Sequence, residues 1–76
     1  MAELVDYKKF IEIHPDIRFG KPVIIGTRIS VFDVLGWLAS GLSYQQILED
    51  FPQLTENSIY ACLAYAADKE RKIKIA

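Results

Sequence analysis

The sequence predicts a mostly helical domain in which three helices follow a short β element. Apolar residues recur at helical spacing after Ser30, a hydroxyl residue stands where each helix would begin, and the preceding residues alternate polar with apolar side chains. The 76 residues contain no internal repeat or linker, so we expect a single domain over 1–76. It divides into a β element over about 1–30, a three-helix unit over about 31–71 and a basic tail at 72–76.

Short strands and tight turns are predicted for the β element. Residues 9–13 and 17–19 alternate polar and apolar side chains, as half-buried strands do, and residues 23–25 form a β-branched run. Gly26, at positive φ, permits a two-residue hairpin turn that leads to residues 28–29. Strands this short are not stable alone, so we expect them to pack on the helices or on another subunit.

Each predicted helix has its own start signal. Ser30, Ser43 and Thr55 are the expected N-caps, because their hydroxyl oxygens can accept hydrogen bonds from free amides of the first turn. Asp33 and Gln46 stand three residues after the first two caps and complete capping boxes. We therefore expect a first helix that ends at the C-terminal stop Gly41, a second over about 44–50 and a third over about 56–71.

Helical periodicity assigns an apolar face to each helix. The residues expected in the core are Val31, Val34, Leu35, Leu38 and Ala39, then Ile47 and Leu48, and finally Ile59, Cys62, Leu63 and Ala66. The aromatic residues Phe32, Trp37 and Tyr65 fall outside these faces. Since 51% of this short chain is hydrophobic, we expect it to bury surface against a second copy or another protein, with these three residues at a dimer interface.

The second and third helices form the skeleton of a helix-turn-helix over 43–71. A turn of about four residues joins them, and its Pro52 cannot continue the second helix. With the hairpin nearby, the expected arrangement is winged-helix-like, and the third helix would enter the major groove of DNA. Asn57, Ser58 and Tyr60 would then face base edges, because an amide pairs with adenine and hydroxyl groups are adaptable. The alternative is a solvated helix face.

Positive charge lies near the two ends of the chain. The net charge of −1 and the pI of about 5.7 argue against strong non-specific binding of nucleic acid, and residues 31–68 contain no Lys or Arg. Arg18, Lys21 and Arg28 are either a wing that grips phosphate or ordinary surface cations. The cations at the C-terminus would contact phosphate, enter an acidic pocket of a partner, or only complement the helix dipole and aid solubility; they are Lys69, Arg71, Lys72 and Lys74.

Groups suited to catalysis or metal binding are sparse. His14 precedes a proline in a turn and Cys62 lies on an apolar helix face, so we expect both to be structural. One His and one Cys do not compose a zinc site, and we expect neither enzymatic activity nor a cofactor or metal. A single cysteine suits a reducing compartment, and the sequence shows neither a signal peptide nor an apolar run of membrane length. We therefore expect a soluble cytoplasmic protein.

Residues 20–29 read Gly-Lys-Pro-Val-Ile-Ile-Gly-Thr-Arg-Ile, residues 51–55 read Phe-Pro-Gln-Leu-Thr and residues 61–67 read Ala-Cys-Leu-Ala-Tyr-Ala-Ala. In these segments the chain resembles the bacterial and archaeal domain-of-unknown-function 433 family, from about Ile11 to Ala67. The positions that match the family's signature are Gly20, Lys21, Gly26, Thr27 and Arg28. The resemblance implies a compact, commonly dimeric helix-turn-helix protein of the VapB antitoxin type, often encoded beside a PIN-like ribonuclease toxin.

The leading hypothesis is therefore a homodimeric antitoxin that represses its own operon by binding operator DNA and neutralises a PIN-like toxin. Its partner-binding residues would be cations that occupy the acidic metal site of the nuclease, namely Arg28, Arg71, Lys72 and Lys74. The rival hypothesis is a protein-interaction and dimerisation module that does not bind DNA.

Overall fold

The computed structural model describes residues 5–72, with side chains described as far as residue 70. The elements in chain order are a 3₁₀ helix Tyr7–Lys9, strand β1 Ile11–Ile13, a tight turn Arg18–Gly20, strand β2 Pro22–Ile24, helix α1 Val31–Ala39, helix α2 Tyr44–Asp50 and helix α3 Glu56–Lys72. The fold is mostly helical with one small antiparallel sheet, which confirms the predicted class.

The N-caps form where the sequence predicts them. The Asp33 amide donates to Ser30 Oγ at 2.9 Å, and the Ser30 amide donates back to Asp33 Oδ2 at 3.1 Å. At the start of α2, the Gln46 amide donates to Ser43 Oγ at 3.1 Å, and the Ser43 amide donates to Gln46 Oε1 at 2.8 Å. Both are complete capping boxes, which explains why the observed first residues of α1 and α2 agree with the prediction. Gly41, at φ 102°, ends α1 as expected.

The core lies where the three helices meet the inner side of β2. Fully buried residues come from both halves of the chain, and they are Val23, Val34, Ile47, Ile59, Ala61 and Cys62. Two residues predicted for this core are exposed, namely Ala39 and Leu63. In α3 the buried arc instead includes the small residues Ala61 and Ala64, whose size lets neighbouring elements approach the helix closely.

The sheet pairs differently from the predicted hairpin. Strand β1 runs antiparallel to β2, with Ile11 opposite Ile24 and Ile13 opposite Pro22. Gly26 has positive φ as predicted, at 82°, but the two-residue turn does not form, since the Ile24 amide donates to the Ile29 carbonyl across residues 25–28. The residues after this loop make a single bridge from Ser30 to β2 and no strand. The chain enters the N-cap of α1 at that point, so no length remains for a second strand.

The strand predicted at residues 17–19 is wrong. Arg18, Phe19 and Gly20 have φ angles of 51°, 59° and 79° and form a tight left-handed turn. Alternating side chains indicate a strand only when the backbone is extended, and here contacts of Arg18 with distant parts of the chain hold another conformation.

Candidate functional site

Helix α3 presents a narrow exposed stripe that begins with two of the predicted DNA-contact residues. Asn57 is exposed, and Tyr60 retains 37% of its surface while its ring meets the edge of Tyr44 on α2 at 5.5 Å between centroids. Leu63, also 37% exposed, continues the stripe one turn further on. The stripe offers one amide, one phenol and apolar surface, and the exposed Glu56, four residues before Tyr60, adds a negative charge beside it.

Ser58 is a correction to the predicted DNA-contact set. It is buried, with 6% exposure, and its hydroxyl lies 3.1 Å from Thr55 Oγ1. The Ser58 amide donates to Thr55 Oγ1 at 3.2 Å, and the Thr55 amide donates to Ser58 Oγ at 3.3 Å. Ser58 therefore completes the reciprocal cap of α3, and its side chain is unavailable to a base edge.

Arg18 is a second correction, because its guanidinium is already engaged inside the molecule. Its Nη1 atom lies 2.9 Å from Asp33 Oδ2 and donates to the Arg28 carbonyl at 2.8 Å. Partial burial acts to raise the pKa of Asp33, but hydrogen bonds from Arg18 and Ser30 and the charge of Arg18 outweigh it, so the pKa lies below its usual value. Arg18 thus ties the left-handed turn to the first turn of α1 and is not a free phosphate ligand.

The residues that match the family signature, between Gly20 and Arg28, fall into two groups, those that hold the backbone and those that are exposed. Gly20 and Gly26 adopt positive φ, a conformation in which other residues are strained. The Thr27 hydroxyl donates to the Ile24 carbonyl at 2.8 Å and accepts from the Ile29 amide at 3.0 Å, which holds the turn. Lys21 and Arg28 are exposed, so these two cations remain for contacts with another molecule.

An open groove of about 350 Å³ lies between the start of α1 and the second half of α3. We call it the apolar groove; its lining includes Lys21, Pro22, Val31, Phe32, Leu35 and Tyr65. Two of the three predicted interface residues, Phe32 and Tyr65, meet there, with Phe32 75% exposed. Trp37 does not line the groove, because it is half-buried and stacks on Phe51 of the same chain with ring centroids 4.5 Å apart.

Lys21 lies at the apolar groove and not beside the start of α3. The groove residue Tyr65 is eight positions beyond Asn57, which places it about 12 Å further along the helix axis. Lys21 and the exposed start of α3 therefore mark two separate regions of the surface.

Phe19 is a fully exposed aromatic residue at a position where side-chain alternation predicts a half-buried strand. Its side chain is 99% exposed and its backbone is left-handed, a costly combination for an aromatic residue. The glycine that follows was the available signal, because Gly20 marks a turn where alternation predicts a strand.

Two further side chains could carry chemistry, Cys62 and His14, and neither lines the apolar groove. Burial raises the pKa of the Cys62 thiol to about 12, so the thiol stays protonated and unreactive at neutral pH. His14 is exposed, and its Nδ1 atom accepts a hydrogen bond from the Asp16 amide at 3.2 Å. Within the described residues, no three His, Cys, Asp or Glu side chains are grouped to hold a metal ion.

Three predicted partner-binding cations fall at the end of the described chain. Arg71 and Lys72 belong to the last turn of α3, but their side chains are not among those described, and Lys74 lies outside the described residues altogether. Across 5–72, no helix combines the length and the apolar character needed to cross a membrane.

The chain is similar to other proteins over most of its length. The family model described as "Protein of unknown function (DUF433)" matches residues 11–66. The uncharacterized protein y4eO of Sinorhizobium fredii is 36% identical over 66 residues, which cover 87% of this chain and 30% of that protein. The crystal structure of a DUF433 member protein from Anabaena variabilis shares the fold with a TM-score of 0.76 and 26% identity, covering 82% of this chain and 61% of that one. This chain therefore spans less than a third of y4eO and about three-fifths of the solved chain.

Proposed function

The chain belongs to the DUF433 family of proteins of unknown function, and from that premise we propose that it is an antitoxin-like regulator. In this proposal it acts as a homodimer that binds operator DNA through α3 and neutralises a PIN-like ribonuclease toxin. The observation that carries the proposal is the capped pair α2 and α3, whose second helix exposes Asn57 and Tyr60 near its start.

The proposed contact with DNA divides between base edges and phosphates. Asn57 would pair with an adenine in the major groove, and Tyr60 would contact the neighbouring base pair or sugar. Residues 31–68 contain no Lys or Arg, so phosphate contacts would come from Lys21, Arg28 and the cations after Asp68. In a dimer, two copies of α3 would reach half-sites about 34 Å apart, one helical turn of DNA.

The test is a mobility-shift titration with the promoter of the protein's own operon, repeated across a range of salt concentrations. We expect Asn57→Ala to weaken binding about tenfold and to relax the preference at one base position. Replacing Lys21 and Arg28 with Ala should reduce the salt dependence by about one phosphate contact each, whereas the exposed Lys8→Ala serves as the matched control. If no sequence-dependent band forms even at low ionic strength, the DNA-binding role is wrong.

A second candidate function is a protein-interaction module without DNA binding. It is favoured by the exposed side chains of the helical unit, among which Phe32 and Leu63 are apolar and Glu49, Asp50 and Glu56 are acidic. Acidic groups beside α3 would repel phosphate. Co-purification with the product of the neighbouring gene, combined with the mobility shift, separates the two functions.

The toxin-binding step is testable by truncation. We propose that the C-terminal cations, with Arg28, enter the acidic metal site of the nuclease. Deleting residues 72–76 should then weaken inhibition of the purified nuclease at least tenfold. Binding of operator DNA should lose only the phosphate contacts of Lys72 and Lys74 and keep its base preference, because Asn57 and Tyr60 are unchanged. A truncated protein that inhibits as well as the full chain would exclude the tail from this role.

A further inference from the structure

The apolar groove combines exposed aromatic surface with an unbalanced positive charge. We propose that it binds a segment of a protein partner in which apolar side chains are flanked by aspartate or glutamate. This inference deepens the protein-binding part of the proposed function and rests on it. It shares Lys21 and Lys69 with the proposed phosphate contacts, whereas its apolar anchor Phe32 has no part in the proposed binding of DNA.

The apolar character of the groove comes from α1 and α3 together. Phe32 is 75% exposed at the first turn of α1, and the half-buried Leu35 lies one turn further along the same helix. Tyr65 forms the facing wall, where its ring is held at its edge by Tyr7 with 5.2 Å between centroids. These exposed side chains from two helices give the groove apolar surface on which the side chains of another molecule can pack.

The shape of the groove favours a polypeptide over a small molecule. Sites for small ligands enclose most of the ligand surface, whereas this groove is more open than enclosed. A helix or an extended segment can lay successive apolar side chains along such a groove while its polar face stays in water.

The charges around the groove select the partner. Among the described residues that line it, Lys21 is the one that carries charge, and Nζ of Lys69 lies 5.2 Å from the centroid of the Tyr65 ring. The nearby carboxylates already have partners. Asp33 binds Arg18, and Asp68 accepts from the Tyr7 hydroxyl at 2.6 Å. The charge of Asp33 is paired with Arg18, so Lys21 in the lining is left to attract acidic groups of an incoming segment.

The same charges disfavour a second copy of this chain as the occupant. In a two-fold interface both copies contribute the same patch. Two copies of this lining, in which Lys21 is the charged residue described, would bring cations together without a carboxylate to pair with them. The repulsion between like charges would cost affinity at the point where the aromatic residues meet. The proposed homodimer would then use another surface.

The test begins with an unbiased selection. A displayed library of random peptides of about twelve residues is selected on the immobilised full-length protein, and sequences that also bind Phe32→Asp are removed. We expect the selected peptides to contain Leu, Phe or Trp together with an excess of Asp and Glu. A selection that yields no binders, or binders without excess acidic residues, overturns the proposal.

Synthetic versions of the selected peptides are then titrated by fluorescence anisotropy. Phe32→Asp should weaken binding at least about tenfold, as expected for an anchor residue, and it suits the first turn of a helix, so the variant should fold. The matched control is Phe19→Asp, which replaces another exposed phenylalanine outside the groove and should bind within about twofold of the parent. Equal effects of the two variants would contradict the assignment of the groove.

Reversing the charge of Lys21 and Lys69 tests whether they recognise the peptide or only stabilise the fold. The double variant K21E/K69E should bind the acidic peptide more weakly than the parent protein does. It should bind a peptide with Lys in place of Asp and Glu more tightly than the parent protein does.

Light scattering after size exclusion tests whether a second copy of this chain occupies the groove. If Phe32→Asp dissociates a two-copy particle and Phe19→Asp does not, a second copy fills the groove and the proposal is wrong. Promoter binding, measured on the same variants, should be unchanged by Phe32→Asp even if the toxin-binding role fails.

Discussion

The N-terminal part of the chain, residues 5–30, and the helical part, residues 31–72, reach their structures by different means. The helices are defined by local signals, because Ser30 and Ser43 each bond to a residue three positions away. The N-terminal part depends on distant partners. Its Tyr7 hydroxyl bonds to a carboxylate 61 positions later, and Arg18 bonds to Asp33 in α1. This difference teaches that the helices supply the frame and that the N-terminal part takes its conformation by packing on it.

The largest expected effect comes from the frame itself. Ile59 is fully buried, so Ile59→Ala should lower the free energy of unfolding by about 3 kcal/mol through lost burial and a cavity. Urea unfolding followed by circular dichroism measures it, with Leu63→Ala on the exposed side of α3 as the control at less than about 1 kcal/mol. If the N-terminal part relies on the frame, amide exchange of Ile24 and Ile25 should accelerate by about a hundredfold as well. Unchanged exchange there would break the comparison.

The next effect tests the link between the two parts. Asp33→Asn removes the partner of Arg18 and weakens the capping box, and we expect a loss of about 1–2 kcal/mol at neutral pH. The ion pair is partly exposed, so its Coulombic share is modest. Urea unfolding measures the loss, and the exposed Asp16→Asn should change stability by less than about 0.5 kcal/mol.

The stabilising effect of Asp33 should depend on pH. Because the folded state holds the pKa of Asp33 below its ordinary value of 3.8, the unfolded chain takes up the proton first as the pH falls. The stabilisation is therefore complete above about pH 5 and is lost as the pH falls through 3.8 toward the folded pKa. The difference in free energy of unfolding between the parent and Asp33→Asn, measured by urea unfolding at several pH values, should become smaller as the pH falls below about 5. A difference that stays constant with pH would show that the charge of Asp33 does not contribute to stability.

A smaller effect isolates a purely local signal. Ser43 is an exposed cap, so Ser43→Ala should cost about 1 kcal/mol and lower the melting temperature by about 5 °C. Ser43→Gly should cost only a few tenths of a kcal/mol, because glycine is an acceptable N-cap. Thermal unfolding measures both. Equal losses for the two variants would mean that the residue acts through something other than the cap.

The smallest effect concerns the left-handed turn. Phe19→Gly should raise stability by about 0.5 kcal/mol, since the side chain makes little contact and glycine removes the strain of φ 59°, less its own entropy cost. The control is Phe32→Gly, another exposed phenylalanine but in a helix, which should lower stability by about 1 kcal/mol. A loss of stability in Phe19→Gly would show that the Phe19 side chain makes stabilising contacts, which would contradict its full exposure.

The predictive power of the sequence follows the same division. The bounds of α2 and the first residue of α3 match the prediction, and Gly26 turns the chain with positive φ as expected. The turn at 17–19 was mispredicted, because its side-chain alternation is the same as that of a strand. Ser58 was misassigned to the DNA surface, although its place three residues after Thr55 is a local signal for a reciprocal cap.

By itself the sequence determined the number, order and start of the helices, because N-caps, helical spacing and glycine stops act within a few residues. Only the tertiary structure decided which cations are free, since Arg18 is engaged by Asp33 while Lys21 stays exposed. It also brought Phe32 and Tyr65 to one groove and turned Trp37 toward Phe51 instead. Such pairings join residues far apart in the chain, and they depend on how the helices pack against one another and on the β element.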